Sequence, residues 1–415
     1  MAKKLLNYKL HLGQKVLIGM FLGILCGVIF GEHSLLLKPI STVFMGLIKM
    51  ITVPAVFFAV LYGFTSVPNK ETLGTIGLKA VIMYGITTMF AIAIGIAFAI
   101  WLTPGEGVNL VGSYTQDPGF IDKSLVNVAP KKISEIIIDM IPINPIASMA
   151  SGKVIQIVIF AFFLGVALVL VGDAARGVKV IIKQFTEVIF RLVGIVMHVA
   201  PYGVFSIMAC VVADGGLHIL IVLGKLVLVI IGAYLLQYIV FGCILYFTGL
   251  NPFKFYKKTF NIQSLALATS SSKAVLPTTI NDLQEKLGAS KQSARFVLPL
   301  GATINMDGTA IFLAICALFI AQATGVVLTL NHYFLLILTS TIGSIGAAGY
   351  PSGGIIMLVV VLSALGCPLD GVALILGIDR FVDMLRTTIN IMGDCTVTVA
   401  IDKINKTLDL KKYNN

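Results

Sequence analysis

The feature that most constrains this chain is a series of apolar segments, each long enough to cross a lipid bilayer. An α-helix needs about 20 apolar residues for one crossing. Six such segments lie near 13–32, 39–66, 75–103, 151–172, 177–212 and 215–249. Only 12% of the 415 residues are charged, whereas about 25% is usual in soluble proteins. The sequence therefore predicts an all-α integral membrane protein.

The basic residues predict how the chain is oriented. They lie at the ends of apolar segments rather than in one patch, so the formal net charge of +11 does not indicate a partner such as nucleic acid. Loops rich in lysine alternate with poorer ones, and basic loops usually face the cytoplasm. Lysines also precede the first segment and follow the last. We expect a multi-pass protein of the cell (inner) membrane, surrounded by membrane lipid, with both termini in the cytoplasm.

Two later segments, near 252–282 and 334–365, are predicted to be re-entrant hairpins. The loops on both sides of 252–282 are basic, whereas the loops on both sides of 334–365 contain no Lys or Arg. Each segment is also interrupted by small or polar residues, at 269–273 and 346–354. Irregular backbone at membrane depth is tolerated only where protein buries it or it lines a cavity. Hairpins entering from opposite faces indicate inverted repeats. The alternative is that each tip is a loop between two ordinary helices.

The last apolar segment carries polar residues on one helical face. At about 100° per residue, five side chains fall within about 80° of one another. They are Asp379, Asp383, Arg386, Asn390 and Asp394. Arg380 is predicted to lie off this face, where it reaches the membrane surface or pairs elsewhere. Each charge at the bilayer centre costs about 2.5–3.5 kcal/mol, so the stripe predicts a binding site. Internal pairing of Asp383 with Arg386 is the alternative interpretation.

A second feature is the sequence NMDGT at 305–309, inside an apolar run. Asn and Gly oppose helix continuity, and a break frees main-chain carbonyls. Together with Asp307 and Asp394, these oxygens predict a site for a small monovalent cation. Tyr84, Thr87 and Thr88 share one helical face and are candidate contributors. No cluster of His and Cys indicates a transition metal.

The charges of the stripe predict the substrate. Arg386 can bind a side-chain carboxylate in bidentate fashion, and Asp383 can pair with an ammonium group. Main-chain N–H groups at a hairpin tip are then available for the α-carboxylate. An acidic amino acid has all three groups. We expect a transporter rather than an enzyme, because an intramembrane aspartyl protease needs a motif such as GxGD and Asp394 instead follows Met392 and Gly393. A passive channel would need a continuous polar lining.

Four motifs in sequence carry a resemblance to a known family. They are the serine run at 270–272, NMDGT, AAGYPSGG at 347–354 and DxxxDxxRTxxNxxGD at 379–394. On these, the chain resembles the sodium-coupled branch of the glutamate/aspartate transporters, or dicarboxylate/amino acid:cation symporters. The resemblance implies a homotrimer, with eight transmembrane helices and two re-entrant hairpins per protomer and an elevator mechanism. It implies a scaffold domain at 13–66 and 130–212, and a transport domain at 75–104 and 215–408.

The resemblance also implies a function and a set of site residues. The function is import of L-glutamate or L-aspartate coupled to Na⁺; the alternative is a proton-coupled glutamate or C4-dicarboxylate symporter of the same fold. The residues implied for substrate are Ser270, Ser271, Ser272, Met306, Thr309, Gly349, Asp383, Arg386, Thr387 and Asn390. Those implied for sodium are Tyr84, Thr87, Thr88, Gly301, Thr303, Asn305, Met306, Asp307, Ser344, Ile345, Ala347, Asn390 and Asp394.

The sequence departs from the family pattern near the predicted substrate site. Family members usually have a second arginine at one of two positions, which Ser270 and Met384 occupy here. We hypothesise that Lys273 replaces that charge and pairs with Asp383 or Asp379 in one state of the transport cycle; the alternative is that it points into cytoplasmic water. Leu313 replaces the acid of potassium-coupled animal members, so no potassium countertransport is expected.

Overall fold

The structure, a computed structural model, describes residues 12–65, 70–107, 138, 140–216, 218–346 and 353–415. Every regular element in these ranges is helical. The helices are α1 (Leu12–Phe30), α2 (Lys38–Thr65), α3 (Lys70–Leu102), α4 (Pro145–Ala150), α5 (Val154–Val171), α6 (Arg176–Met197), α7 (Ala200–Gly215), α8 (His218–Phe247), α9 (Pro252–Lys258), α10 (Phe260–Thr269), α11 (Ser272–Lys286), α12 (Lys291–Ile304), α13 (Asp307–Ala323), α14 (Leu330–Gly346), α15 (Gly353–Leu365), α16 (Val372–Ile404) and α17 (Leu410–Asn414).

Five helical stretches among the described residues are long and apolar enough to cross a bilayer. They are Gln14–Gly63, Ile76–Leu102, Gln156–Met197, His218–Phe247 and Lys291–Ala323. The prediction of an all-α membrane protein is therefore confirmed. The exact number of crossings stays a prediction.

The predicted segment 177–212 is two helices rather than one. Helix α6 ends at Met197, and α7 begins at Ala200 with Pro201 in its first turn. Proline has no N–H to donate and its ring clashes with the preceding turn, so it favours the start of a new helix over the interior of an old one. The segment's apolar character alone did not reveal this break.

Helices α1 and α7 pack closely because three glycines of α1 face the α7 backbone. A Cβ atom added at Gly27 would lie 2.7 Å from the carbonyl oxygen of Ala209. One added at Gly23 would overlap the carbonyl oxygen of Phe205, and Gly19 faces Pro201 in the same way. Small residues at every fourth position allow helix backbones to approach within a membrane. This contact therefore depends on the absence of side chains.

Two pairs of consecutive helices correspond to the predicted hairpins. Helices α10 and α11 pack against each other and are joined at Ser270, which has a φ of +49°; α14 and α15 also pack together. The arms have 10 and 15 residues in the first pair and 17 and 13 in the second. At about 1.5 Å per residue, each arm is shorter than the roughly 30 Å hydrocarbon core. Neither pair is long enough for two full crossings, which supports the re-entrant interpretation.

Helix α16 lies at the centre of the helices that follow residue 70. It packs against α3, α8, α10, α12, α13 and α15. Its neighbour α13 is buried along almost its whole length. A helix surrounded by protein in this way can carry polar groups at membrane depth without exposing them to lipid.

Candidate functional site

The polar stripe of α16 is buried in the protein. The helix is continuous from Val372 to Ile404, so the side chains keep the spacing that places them on one face. All five predicted members of the stripe are at most 4% exposed. Buried charges without partners are very costly, and the contacts of these residues therefore define the site.

Arg386 is held between carboxylates, an aromatic ring and a glycine. Its Nη2 forms an ion pair with Asp383 and lies 3.7 Å from Oδ1 of Asp379. The guanidinium carbon is 4.6 Å from the centroid of the Phe312 ring. A Cβ atom at Gly354, in the first turn of α15, would overlap Nη1. Within the described residues, that buried Nη1 has no hydrogen-bond partner.

Arg380 joins the same cluster, contrary to the expectation that it lies off the face. Its Nη1 is 3.4 Å from Oδ2 of Asp383, and its side chain is 15% exposed. Helical rotation fixes the direction of the Cα–Cβ bond, but a long arginine side chain can turn back across the helix surface. Asp383 therefore contacts two arginines, one buried and one partly exposed. The internal pair of Asp383 with Arg386, considered as the alternative interpretation, is present.

The helix break at NMDGT is present where the sequence predicts it. Helix α12 ends at Ile304 and α13 begins at Asp307; Asn305 is extended, with a ψ of 99°, and Met306 is non-helical, with a ψ of 55°. Asn390 of α16 fills the break: its Oδ1 accepts a 2.8 Å hydrogen bond from the N–H of Gly308. A carboxamide oxygen at a helix N-terminus satisfies a free N–H group. The stripe and the break thus form one structural unit.

Asn390 also reaches the first turn of α13 through its amino group. The Nδ2 atom lies 3.2 Å from Sδ of Met306 and 3.4 Å from Oγ1 of Thr309. The backbone of Gly308 passes close to α16, since an added Cβ would be 2.5 Å from the carbonyl oxygen of Arg386. These contacts place the predicted substrate residues Met306, Thr309, Arg386 and Asn390 around one point.

Asp307 is fully buried and accepts hydrogen bonds from neutral groups. The hydroxyl of Thr88 donates to Oδ1 over 2.8 Å and that of Thr87 over 3.3 Å. Nε2 of Gln237 donates to Oδ2 over 3.4 Å. Helix α3 therefore brings its predicted threonines to the break, and α8 contributes a residue that the sequence did not single out.

Asp394 lies on the other side of the break. Its Oδ1 accepts a 2.9 Å hydrogen bond from Nδ2 of Asn305. A Cβ at Gly301 would overlap both this carboxylate and the hydroxyl of Tyr84, which donates to the carbonyl oxygen of Val297 over 3.0 Å. Gly301, Tyr84, Asn305 and Asp394 are thus in contact.

The surroundings of Asp307 and Asp394 differ from those of the arginine cluster. In the described part of the chain, no ion pair joins a lysine or an arginine to either carboxylate. Nor does any group of three or more His, Cys, Asp and Glu side chains there match a metal-binding cluster. Two carboxylates, hydroxyls, amide oxygens and freed carbonyls form an oxygen-only set suited to a hard cation.

Two residues of α8 were missed by the sequence analysis. The hydroxyl of Tyr234 donates to the carbonyl oxygen of Gly308 over 3.1 Å. Gln237 is fully buried, and its Oε1 has no hydrogen-bond partner among the described residues. The available signal was weak: two polar side chains three residues apart in an otherwise apolar helix share one face.

The other predicted site residues contact their own helices or turns, or lie outside the described residues. Thr387, Thr303 and Ser344 donate to backbone oxygens of their own helices, at Asp383, Pro299 and Thr341. Ser270 and Ser272 are buried at the turn of the first hairpin, and Ser271 caps α11 through the N–H of Ala274. Ile345 lies in α14, but its side chain is not described. Ala347 and Gly349 lie outside the described residues.

Lys273, the charged residue that follows the serine run of the first hairpin, lies near another part of the molecule. Its Nζ lies 5.8 Å from the centroid of the Tyr62 ring in α2. The hypothesis that Lys273 pairs with Asp383 or Asp379 in another state stays a prediction.

Comparison with known proteins places the chain among transporters. Residues 12–404 match the sodium:dicarboxylate symporter family. The chain is 33% identical over 399 residues to the proton/sodium-glutamate symport protein of Bacillus subtilis (strain 168), and the alignment covers 95% of this chain and 93% of the relative. It is 34% identical over 407 residues to the C4-dicarboxylate transport protein of Pectobacterium atrosepticum, covering 96% and 93%.

The match spans the helix break and the whole polar stripe, and both relatives are transporters rather than enzymes. The multi-pass helical architecture agrees with that function. This chain belongs to the sodium:dicarboxylate symporter family.

Proposed function

We propose that the protein is a secondary active symporter that imports acidic amino acids, L-glutamate or L-aspartate, together with sodium ions. The observation that carries this proposal is the position of Arg386. It is a buried cation whose Nη1 faces Gly354 at the N-terminus of α15 and has no hydrogen-bond partner among the residues that the structure describes. Guanidinium N–H groups and a helix N-terminus both favour a carboxylate.

An acidic amino acid fits this cluster by exchanging ion-pair partners. In the structure Asp383 and Arg386 neutralise each other. A substrate side-chain carboxylate would take Arg386, while the substrate ammonium would take Asp383, so no buried charge is left without a counter-charge. Thr387 follows Arg386 in the chain and donates to the carbonyl oxygen of Asp383. Asn390 lies one helical turn further on and donates to Thr309. These three residues would bind the α-carboxylate end of the substrate. The serines of the first hairpin, Met306 and Gly349 are proposed to complete the pocket.

The sodium ions are proposed to bind around the helix break. Asp307 and Asp394 have neutral partners, so a cation would supply the missing positive charge. Asp394 with carbonyls of Gly301, Asn305 and Asn390 would form one site, and Tyr84, Thr87, Thr88, Asn305 and Asp307 another. Carbonyls of Thr303, Met306, Ser344, Ile345 and Ala347 would form a third. The Bacillus relative, named for both protons and sodium, supports cation coupling in general.

The break also gives a physical reason for coupling. Asn390 donates to Thr309 on the substrate side and accepts from Gly308 at the start of α13. Asn305, two residues earlier than Asp307, donates to Asp394 on the cation side. A cation that orders residues 305–308 would therefore also order the substrate contacts of Asn390.

The larger architecture is proposed from the family resemblance. We propose a homotrimer with scaffold segments 13–66 and 130–212 and a transport domain of 75–104 and 215–408. The transport domain would move as an elevator in the cell (inner) membrane, with both chain termini in the cytoplasm. Packing of α1, α2, α5, α6 and α7 against one another supports the scaffold assignment.

A C4-dicarboxylate is the second candidate substrate. The observation that favours it is that Asp383 is held by both Arg380 and Arg386, and an arginine that keeps Asp383 occupied leaves it unavailable to an ammonium group. The Pectobacterium relative is named for C4-dicarboxylate transport. A proton-coupled glutamate symporter is the corresponding alternative for the coupling ion.

Uptake into proteoliposomes distinguishes these candidates. Radiolabelled aspartate is competed with glutamate, succinate and serine, under a sodium gradient and then under a proton gradient. We expect aspartate and glutamate to compete, serine and succinate to compete poorly, and uptake to require the sodium gradient. Succinate transport that persists in the Asp383→Ala variant would contradict the amino-acid proposal, and uptake driven by protons alone would contradict sodium coupling.

A further inference from the structure

A basic pocket lies where three elements of the chain meet, at the far end of α11 from the serine turn. It is an open cavity of about 450 Å³, lined by Lys258, Glu285, Lys286, Lys411, Lys412 and Asn415. We call this the lysine pocket. Lys258 belongs to α9, Glu285 and Lys286 to α11, and the remaining residues belong to or follow α17. None of these residues takes part in the proposed transport site.

The walls of the lysine pocket are held together by hydrogen bonds. Nζ of Lys258 donates to the carbonyl oxygen of Lys286 over 2.9 Å and to that of Lys412 over 2.5 Å. Nζ of Lys254 donates to the carbonyl oxygen of Asn414 over 2.5 Å. The fully buried Tyr413 donates to the carbonyl oxygen of Asn251 over 2.9 Å. The pocket is therefore a fixed feature of the fold rather than a chance meeting of long side chains.

The pocket carries an excess of positive charge. Lys286 pairs with Asp282 over 2.9 Å, and Lys412 lies 3.8 Å from Glu285. Among the side chains alone, the four lysines that line the pocket outnumber Glu285 and the neighbouring Asp282 by two. Partial burial and the nearby charge of Lys254 lower the pKa of Lys258. A phosphate group between several lysines is a common way to satisfy such a cluster.

Exposed aromatic side chains lie on the helices α8, α9 and α10, which precede the pocket residues of α11 and, in α9, include one of them. Tyr246 and Phe247 end α8 and are 70% and 84% exposed, while Phe253 of α9 is 85% exposed and Phe260 of α10 is 70% exposed. Aromatic side chains at the end of an apolar helix mark the membrane–water interface. Lys257 follows Phe253 by four residues and lies on the same face of α9. Basic and aromatic side chains side by side on α9 are typical of a helix that lies at the headgroup level.

We propose that the lysine pocket binds the headgroup of an anionic phospholipid, with the phosphate among Lys286, Lys411 and Lys412 and the acyl chains beside Phe253 and Phe260. A lipid would use both the lysines and the exposed Phe253 and Phe260 of α9 and α10, whereas a soluble phosphate compound would use the lysines only. Because α11 is an arm of the first hairpin, a bound lipid would brace the base of that hairpin against α9 and α17.

The test measures binding of short-chain lipid to the purified full-length protein. Dioctanoyl phosphatidylglycerol is titrated and followed by native mass spectrometry, with dioctanoyl phosphatidylcholine and inorganic pyrophosphate in parallel. The variant combines Lys286→Gln, Lys411→Gln and Lys412→Gln, leaving Lys258 and its carbonyl contacts in place. Each lysine near an anionic headgroup contributes about fivefold in affinity, so we expect binding of phosphatidylglycerol to weaken roughly 100-fold.

A matched control removes the same charge elsewhere. Arg176→Gln, Lys179→Gln and Lys183→Gln on α6 also lower the net charge by three, and we expect them to leave phosphatidylglycerol binding unchanged. Lys411→Gln alone, at an exposed position, keeps the test valid if the triple variant fails to fold; we expect it to weaken binding about fivefold. Equal affinity in pocket and control variants, equal affinity for phosphatidylcholine, or binding of pyrophosphate without phosphatidylglycerol would each overturn the proposal.

Discussion

The two halves of the buried polar region both hold two buried carboxylates, but the groups that contact those carboxylates differ in charge. The arginine cluster holds Asp379 and Asp383 against Arg380 and Arg386, so its formal charges cancel. In the described ranges, the region around the helix break holds Asp307 and Asp394 against hydroxyl and amide groups only. A neutral cluster can exchange one ion partner for another, whereas an uncompensated anionic region needs cations to be stable. We therefore expect substrate exchange in the first and cation binding in the second.

The largest effect should come from removing the buried arginine. In Arg386→Ala, two buried carboxylates lose their shared cation, and breaking a buried ion pair costs about 3–5 kcal/mol. We expect the kcat/KM for aspartate uptake into proteoliposomes to fall by more than about 100-fold. Arg295→Ala, which removes an exposed arginine of α12, is the control and should transport normally. Aspartate uptake that survives Arg386→Ala would end the proposed role.

Neutralising a carboxylate at the helix break should act on sodium rather than on substrate. Two unit charges about 4 Å apart attract by about 4 kcal/mol at an effective dielectric constant near 20. In Asp307→Asn or Asp394→Asn, we expect the sodium concentration for half-maximal uptake to rise on the order of 1,000-fold. Asp282→Asn is the control, because that buried carboxylate pairs with Lys286 instead. An unchanged sodium dependence in both site variants would show that the anionic region has another purpose.

Gln237 should have a smaller effect on the same measurement. It does not carry charge, but it fixes Oδ2 of Asp307, and losing such a supporting contact commonly weakens metal binding about 10-fold or more. We expect Gln237→Leu to raise the half-saturating sodium concentration about 10-fold. Tyr234→Phe, on the same face of α8 but bonded to Gly308, should leave that concentration unchanged. Equal effects of the two substitutions would indicate general damage to α8.

Substitution of Arg380 should have the smallest effect, and it should act on the substrate selectivity of the arginine cluster. Its contact with Asp383 is long and partly exposed, and such pairs contribute about 0.2–1 kcal/mol. Arg380→Gln should leave Asp383 more available to an ammonium group. We expect the ratio of aspartate to succinate affinity, measured by competition, to rise about two- to threefold. A fall in that ratio would mean that Arg380 binds the substrate itself.

The sequence predicted some parts of the buried polar region and of the fold, and it did not predict others. The stripe on α16 follows from helical periodicity, and the break at Asn305 follows from residues that oppose helix continuity. Arg380 was misplaced because periodicity gives the direction of Cβ and not the end of a five-bond side chain. Gln237 was missed because a single amide in an apolar helix has no pattern until its partner Asp307 is placed beside it. The division of 177–212 into two helices depended on one proline.

The glycine contact between α1 and α7 has a consequence for the order of assembly. Helix α1 is made before α7, and the backbone that its glycines face lies roughly 180 residues later. At about 5–20 residues per second of synthesis, α1 must remain in the membrane for roughly 10–40 s before its partner is complete. Apolar character alone is enough to insert α1, but the hydrophobic effect does not draw two helices together within lipid. A substitution such as Gly23→Ala would therefore spare insertion and impair the later docking, which makes this contact sensitive to the rate of synthesis and to temperature during biogenesis.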